Sequence, residues 1–422
     1  ITSGKFRQIT NVGEMRSLPD GEYYTAMNPK RTMIVKYSYR TGNPVDTLFN
    51  VATARECTID KFDNYEISST GHRILILCDV EPIYRRSTQA TVYDYDVRRN
   101  YLKPLSDAPG KQMIPTFSPD GRMCAYVKDN NIWIRKFDYD TEIQITKDGK
   151  QNAILNGITD WVYEEEFSVT NLMAWSPDSK VLAFVRSDES EVPEYSMQVY
   201  GDGLYPGYYN FKYPKAGEKN STVSVMAYNV ESKDTKKLDI PMDADGYIPR
   251  ITFTTKPEQL AVMTLNRQQN RFNMFYTNPK SGVSKLILKE ENKCYVDSEW
   301  LTSIHFMESG FTYVSEQDGY SHIYLYSPTG VMQRQITKGN WDVTALLGYD
   351  ELTKTTYYES AEESPMRRAV YKIDAKGVKT KLSTKEGTNH ADFSANFAYY
   401  VNRFSNVNTP MQITVNETKK NR

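Results

Sequence analysis

One short string recurs along this 422-residue chain and limits what it can fold into more than any other feature. Ser17-Leu-Pro-Asp-Gly-Glu-Tyr-Tyr24, Ser68-Ser-Thr-Gly-His-Arg-Ile-Leu75, Phe117-Ser-Pro-Asp-Gly-Arg-Met-Cys-Ala125 and Trp175-Ser-Pro-Asp-Ser-Lys-Val-Leu-Ala183 are variants of one unit: an aromatic, a Ser-Pro-Asp-Gly turn, a basic residue, then an apolar strand. Pro presets φ at the second turn position, Asp bonds its own backbone and Gly supplies positive φ, so the unit is a hairpin device. Weaker copies stand at Thr254-Thr-Lys-Pro-Glu-Gln-Leu-Ala261, Met307-Glu-Ser-Gly-Phe-Thr-Tyr313, Asp350-Glu-Leu-Thr-Lys354 and Ser394-Ala-Asn-Phe-Ala-Tyr-Tyr400. Between them lie short alternating runs such as Met123-Cys-Ala-Tyr-Val127, Asn131-Ile-Trp-Ile-Arg135, Val181-Leu-Ala-Phe-Val185 and His322-Ile-Tyr-Leu-Tyr326. The 32 Tyr, 16 Phe and 5 Trp favour strands, and long 3.6-residue periodicity is nearly absent. Propeller blades of four strands take about 40 to 50 residues. The chain therefore predicts a single all-β domain over 1–422, an eight-bladed β-propeller of four-stranded antiparallel blades. Seven blades is the runner-up, and a two-domain β-sandwich array the structural alternative.

A propeller hosts enzymes, scaffolds and receptors alike, so function has to be sought residue by residue. Net charge is −1 with both signs spread along the chain, which points away from nucleic acid and membrane surfaces. No apolar run reaches the roughly 20 residues of a membrane span. The chain begins at Ile1 without methionine, which reads as processed or trimmed. Cys57, Cys78, Cys124 and Cys294 have no metal-binding spacing, and their count leaves disulfide state and compartment open. There is no Gly-x-Ser-x-Gly elbow and no phosphate loop; Gly201-Asp-Gly-Leu-Tyr-Pro-Gly207 reads as a loop, and Asp243-Ala-Asp-Gly246 as a solvated turn lacking the later Glu of a calcium loop. None of the four histidines has a cysteine or acid at ligand spacing, so no metal and no cofactor is expected.

What stands out chemically is Ile154-Leu-Asn-Gly-Ile-Thr-Asp-Trp-Val-Tyr-Glu-Glu-Glu-Phe167, where three consecutive carboxylates follow an aromatic, β-branched run. Crowded like charges repel, and one takes up a proton unless an opposite charge or several donors hold the ionised form. A ligand ammonium is one such partner. Neighbouring side chains on a strand point to opposite faces, so Glu165 and Glu166 converge on one target only if the backbone turns. A short helical turn or bulge is therefore predicted at 163–167. For three glutamates alone, a solvated acidic turn is the plainer reading.

Asn156-Gly-Ile-Thr-Asp-Trp-Val-Tyr-Glu-Glu-Glu166 followed by Trp175-Ser-Pro177 resembles the double-glutamate region of the dipeptidyl peptidase IV family of prolyl oligopeptidase-like serine peptidases. Ile83-Tyr-Arg-Arg-Ser87, Tyr213-Pro-Lys-Ala-Gly217, Glu316-Gln-Asp-Gly-Tyr-Ser-His-Ile323 and Ile336-Thr-Lys-Gly-Asn-Trp-Asp-Val343 resemble the same family in the same order. The resemblance implies an amino-terminal eight-bladed propeller, with a carboxy-terminal α/β-hydrolase domain carrying the Ser-Asp-His triad in the parent and absent from this chain. By that likeness Glu165 and Glu166 hold a peptide's free α-ammonium and Arg85 bonds the carbonyl between the first two substrate residues, with Arg86 the competing assignment. Ser168 is expected to orient the glutamates; for an aromatic wall carried by some members near Tyr295 to Trp300, either Trp300 stands in or the wall is absent. The segment from Tyr205 to Gly217 matches an arm used in dimer contacts, so a homodimer is implied for the full-length form. The parent is expected to be a bacterial, exported peptidase, periplasmic or extracellular, releasing Xaa-Pro or Xaa-Ala dipeptides, with this chain inactive alone. A non-catalytic β-propeller that binds peptides or proteins, or an inactive homologue, remains the alternative.

Overall fold

A computed structural model describes residues 13–419. Its strands form eight small antiparallel sheets in chain order, over residues 16–50, 64–104, 113–144, 154–238, 247–291, 305–335, 343–381 and 388–417, plus one two-stranded ribbon. These are the eight blades of a propeller. In every blade but the fourth, the strands pair in sequence from the first to the last, joined by hairpin connections.

All eight turn units from the sequence join the first strand of a blade to its second. Their geometry repeats. In the third blade the Ser118 N–H donates to Met123 O (2.8 Å) and the Gly121 N–H to Ser118 O (2.8 Å); in the fourth the Ser176 N–H donates to Val181 O and the Ser179 N–H to Ser176 O, both at 2.8 Å. Gly21, Gly71 and Gly121 each sit at φ 69° at the same turn position. Ser179 (φ 60°) and Phe397 (φ 56°) take that left-handed conformation without glycine's freedom, so the register of the turn outweighs the local strain.

A blade buries both faces against its neighbours, and the core is accordingly a ring of clusters between blades. Ile34 and Phe49 meet Ile74 and Tyr65 between blades 1 and 2, Leu75 and Val92 meet Cys124 and Tyr126 between blades 2 and 3, and the largest cluster spans blades 4, 5 and 6. Two blades depart from the four-stranded expectation. Among the described residues blade 8 has three strands, and it closes on blade 1 through side chains: Tyr39 stacks on Tyr399 at 5.5 Å between centroids, and Asn396 Nδ2 donates to Asp20 O. Blade 4 is the other exception, and it carries the candidate site. All four cysteine thiols are free, and no helix among the described residues is long and apolar enough to cross a membrane.

Candidate amine-binding site

The first strand of blade 4 is broken in two. Ile154–Asn156 pairs with residues 186–188 of the second strand, Met173–Trp175 pairs with residues 182–184 of the same strand, and residues 157–172 are an excursion between them. The chain turns out at Gly157 (φ 75°), where a Cβ would meet the Met173 side chain at 2.7 Å. The excursion contains the single α-helix among the described residues, Trp161–Phe167. Seven residues are too few to hold a helix by propensity, so tertiary contacts must supply it. Asp160 caps the start: its Oδ1 accepts the Tyr163 N–H at 2.9 Å and its Oδ2 the Ser221 hydroxyl at 2.5 Å. Burial pushes the Asp160 carboxyl above its ordinary pKa, and those donors oppose the rise. Tyr163 and Phe167, four apart and on one face, bury edge-on against Tyr247, and the Ile248 N–H donates to the Tyr163 hydroxyl.

This helix replaces the strand geometry that would have sent Glu165 and Glu166 to opposite faces. Successive helical positions are about 100° apart, so the two carboxylates leave the same end of the helix within reach of one small cation. Glu164 turns the other way and is fully buried. Its Oε1 accepts two backbone N–H groups of the facing loop, from Arg86 at 2.5 Å and Ser87 at 2.8 Å, while the Arg86 guanidinium donates to the Glu164 carbonyl at 3.0 Å. The loop between two strands of blade 2 is thereby fastened onto the helix of blade 4. Glu165 is bound from the same loop, by Arg85 Nε at 2.7 Å and Arg86 Nη1 at 3.4 Å. The Arg85 hydrogen bond holds its pKa below the ordinary carboxylate value. Glu166 is exposed and has no partner among the described residues.

The two arginines thus differ in use. Arg86 spends its backbone and guanidinium on the helix, whereas Arg85 is 70 % exposed and spends only Nε, leaving its terminal nitrogens free to donate. Ser168 ends the helix in a left-handed conformation (φ 56°), its N–H returning to Tyr163 O; its hydroxyl bonds to neither glutamate. Trp300 lies in the 3-10 helix Ser298–Ser303, partly buried and packed against the blade 4–6 and blade 6–7 cores, with its Nε1 buried and without a partner among the described residues. The arm begins earlier than the sequence indicated. Glu194–Val199 pairs with Gly207–Lys212 as a ribbon leaving blade 4, with Tyr200, Leu204 and Tyr205 exposed at the tip. Its base joins the helix, where Trp161 meets Tyr213 at 4.3 Å. Sequence reasoning built the site on Glu165 and Glu166 and gave no partner to Glu164 or Asp160. The signals were there, a capping residue three before Tyr163 and a third carboxylate that needed donors of its own.

Fold and site together define a β-propeller domain with an acidic helix set into one blade. A family profile described as "Dipeptidyl peptidase IV (DPP IV) N-terminal region" matches residues 68–411. Among curated proteins the chain is 30 % identical over 379 residues to a probable dipeptidyl-aminopeptidase B of Aspergillus niger, covering 82 % of this chain and 42 % of that protein. Its counterpart in Aspergillus terreus is 30 % identical over 378 residues, with 82 % and 41 % covered. The chain spans less than half the length of these relatives. Among solved structures, Porphyromonas gingivalis dipeptidyl peptidase 4 superposes with a TM-score of 0.97 at 61 % identity, over 100 % of this chain and 60 % of that one. A putative dipeptidyl aminopeptidase IV from Bacteroides ovatus, 20 % identical with a TM-score of 0.74 over 97 % of this chain and 60 % of that one, shares the fold. The chain belongs to the dipeptidyl peptidase IV family, whose amino-terminal propeller region it represents.

Proposed function

We propose that this propeller is the substrate-recognition half of a serine-type dipeptidyl peptidase that removes Xaa-Pro or Xaa-Ala dipeptides from free amino termini. The observation that carries the reading is the pair Glu165 and Glu166 on one helix end, the first held by Arg85 and the second left unpaired. An α-ammonium has three donors and a pKa of about 7.7–8.0, and two carboxylates each take one donor. At an effective dielectric of about 20, a contact near 4 Å contributes roughly 4 kcal/mol before desolvation. The free nitrogens of Arg85 suit the first substrate carbonyl, since a guanidinium offers a planar fork of donors.

Such a clamp measures length. With the ammonium fixed at the propeller and a nucleophile fixed in a carboxy-terminal α/β-hydrolase domain, only the second peptide bond lies in reach. There a serine oxygen would form the acyl bond as the amide breaks, its proton passing through histidine to the leaving amine, and water would then free the dipeptide. On this reading the chain alone hydrolyses nothing. The ribbon of blade 4, with its exposed aromatic tip, would serve a homodimer of an exported parent.

The test is hydrolysis by the full-length protein of an Xaa-Pro amide with a free amino terminus against its N-acetyl form. The reading expects the acetylated form, with no charge and fewer donors, to react at least about a thousandfold more slowly in kcat/KM, the equivalent of roughly 4 kcal/mol. Equal rates would refute it.

A further inference from the structure

Six carboxylic residues are buried among the described residues: Asp94, Asp96, Asp160, Glu164, Glu189 and Glu359. Five have donors. Asp94 and Asp96 are held by Arg73, Asp160 by Tyr163 and Ser221, Glu164 by Arg86 and Ser87, and Glu359 by Thr344 and His390. Glu189 is 5 % exposed, and its carboxylate has no hydrogen-bond or ion-pair partner among the described residues. A buried carboxylate left so is costly and is normally paired.

Glu189 instead faces a cavity of about 640 Å³, lined also by Asp160, Tyr84, Tyr209, Thr159 and Lys128. Neither Arg85, Glu165 nor Glu166 lines this space, so it is separate from the clamp, although Tyr84 comes from the Arg85 loop and Asp160 caps the glutamate helix. Both oxygens of Asp160 are already engaged. Lys212 is near enough to act on Glu189, but its ammonium is bound to the carbonyls of Ser190 and Val192. Burial, with Asp160 beside it, pushes the Glu189 carboxyl up to about 7. One acceptor group is therefore unmatched, in a polar space that Lys111, Lys128 and Lys150 also line, Lys111 being paired with Glu81 and Lys128 bonded to Ser106.

We propose that this cavity is a second amine site, in which Glu189 holds the primary ammonium of a small organic amine. Two features select that chemistry. No group of three acidic, histidine or cysteine side chains among the described residues is placed to hold a metal ion, which disfavours a divalent cation. The volume falls in the range that takes a small organic ligand and is far larger than a bare ion requires. Because Tyr84 and Asp160 form its walls, an occupant would brace the loop and the helix on which the clamp is built.

The test uses the full-length protein carrying E165Q and E166Q, which disables the clamp, titrated calorimetrically with n-butylammonium. n-Butanol is the control for shape and tetramethylammonium for ionic strength. Saturable binding of butylammonium, at least tenfold tighter than either control and abolished by adding Glu189→Gln, is the expected result. Glu189→Asp, which keeps the charge and moves it back by one methylene, should weaken binding several-fold. A crystal soaked in butylammonium should place the nitrogen within hydrogen-bond distance of Glu189. Binding that disappears with the clamp alone, that survives Glu189→Gln or is indifferent to Glu189→Asp, or that occurs at crystal concentration only, would overturn the proposal. The clamp reading stands or falls separately, since its residues are already removed in this background.

Discussion

Blades 3 and 4 begin alike and end as different objects. Both open with an aromatic-Ser-Pro-Asp turn of matching geometry, and both bury the second strand, Met123–Lys128 in one and Val181–Asp188 in the other, on its two faces. Blade 3 then runs as four plain strands. Blade 4 breaks its first strand for the glutamate helix and inserts a ribbon before its third. The second strand absorbs both changes, because it pairs with each half of the broken strand in turn. A blade stays intact if one continuous strand spans it, which leaves the edge free to be rebuilt as a site. Stability and recognition are thus carried by different residues a few ångströms apart, and mutation should separate them.

The largest separation is expected from the glutamate pair. Replacing both Glu165 and Glu166 by Gln should lower kcat/KM of the full-length protein about a thousandfold, the equivalent of roughly 4 kcal/mol, with an unchanged melting temperature. In blade 3 the opposite holds. Ile132 is fully buried in the blade 3–4 core, so Ile132→Ala should cost about 2–5 kcal/mol in denaturant unfolding and leave kcat/KM within twofold. Glu164→Ala lies between, since it leaves the buried Ser87 N–H and the part-buried Arg86 N–H without their acceptor. About 1–3 kcal/mol of stability for each, together with a tenfold or greater fall in kcat/KM as the Arg85 loop undocks, would mark it as a positioning residue. Rescue by Gln, which keeps one acceptor oxygen, would distinguish positioning from bulk. The smallest effect is expected of Asp160→Ala, about 1 kcal/mol for a lost cap, read in the same unfolding experiment. If Ile132→Ala impaired catalysis as much as the glutamate pair, the division between the two blades would collapse.

The pH dependence has a definite sign. Glu165 has its pKa lowered by Arg85, so its contribution is present above the ordinary carboxylate value of 4.5 and is lost only as pH falls through the lowered one. On the alkaline side binding should fade above about pH 8, as the ligand ammonium loses its proton. Glu189 behaves oppositely: its raised pKa makes the fold more stable below 4.5 and costs stability as pH rises towards about 7. Asp160 and Asp188 add to that cost and Lys212 reduces it. Glu189→Gln should therefore flatten the stability profile between those values.

The regular part of the molecule was legible because its signal is local. Each turn uses some of Ser, Pro, Asp and Gly at fixed offsets, and these units, the weak copies at Thr254, Met307 and Asp350 included, mark the first hairpin of all eight blades. Three glutamates that could not converge on a strand correctly implied a turn at 163–167, which the helix Trp161–Phe167 supplies. What the sequence hid is non-local. That Glu164 faces Arg86 and Ser87, nearly 80 residues away, depends on how blades 2 and 4 flank blade 3. The earlier start of the arm was missed because Glu194–Val199 reads as an ordinary strand until its exposure is known. Glu189 gave no warning, since Ser187-Asp-Glu-Ser190 looks like a solvated turn and only the packed structure seals it in.

The account rests on the claim that the helix of blade 4 captures a free amino terminus. Calorimetric titration of an Xaa-Pro dipeptide into the full-length protein, beside its E165Q/E166Q variant, tests that claim most directly. The account predicts binding to the parent that is weakened at least a hundredfold in the variant and absent for the N-acetyl dipeptide in both. Equal affinity in the two proteins, or tight binding of the acetylated form, would contradict it.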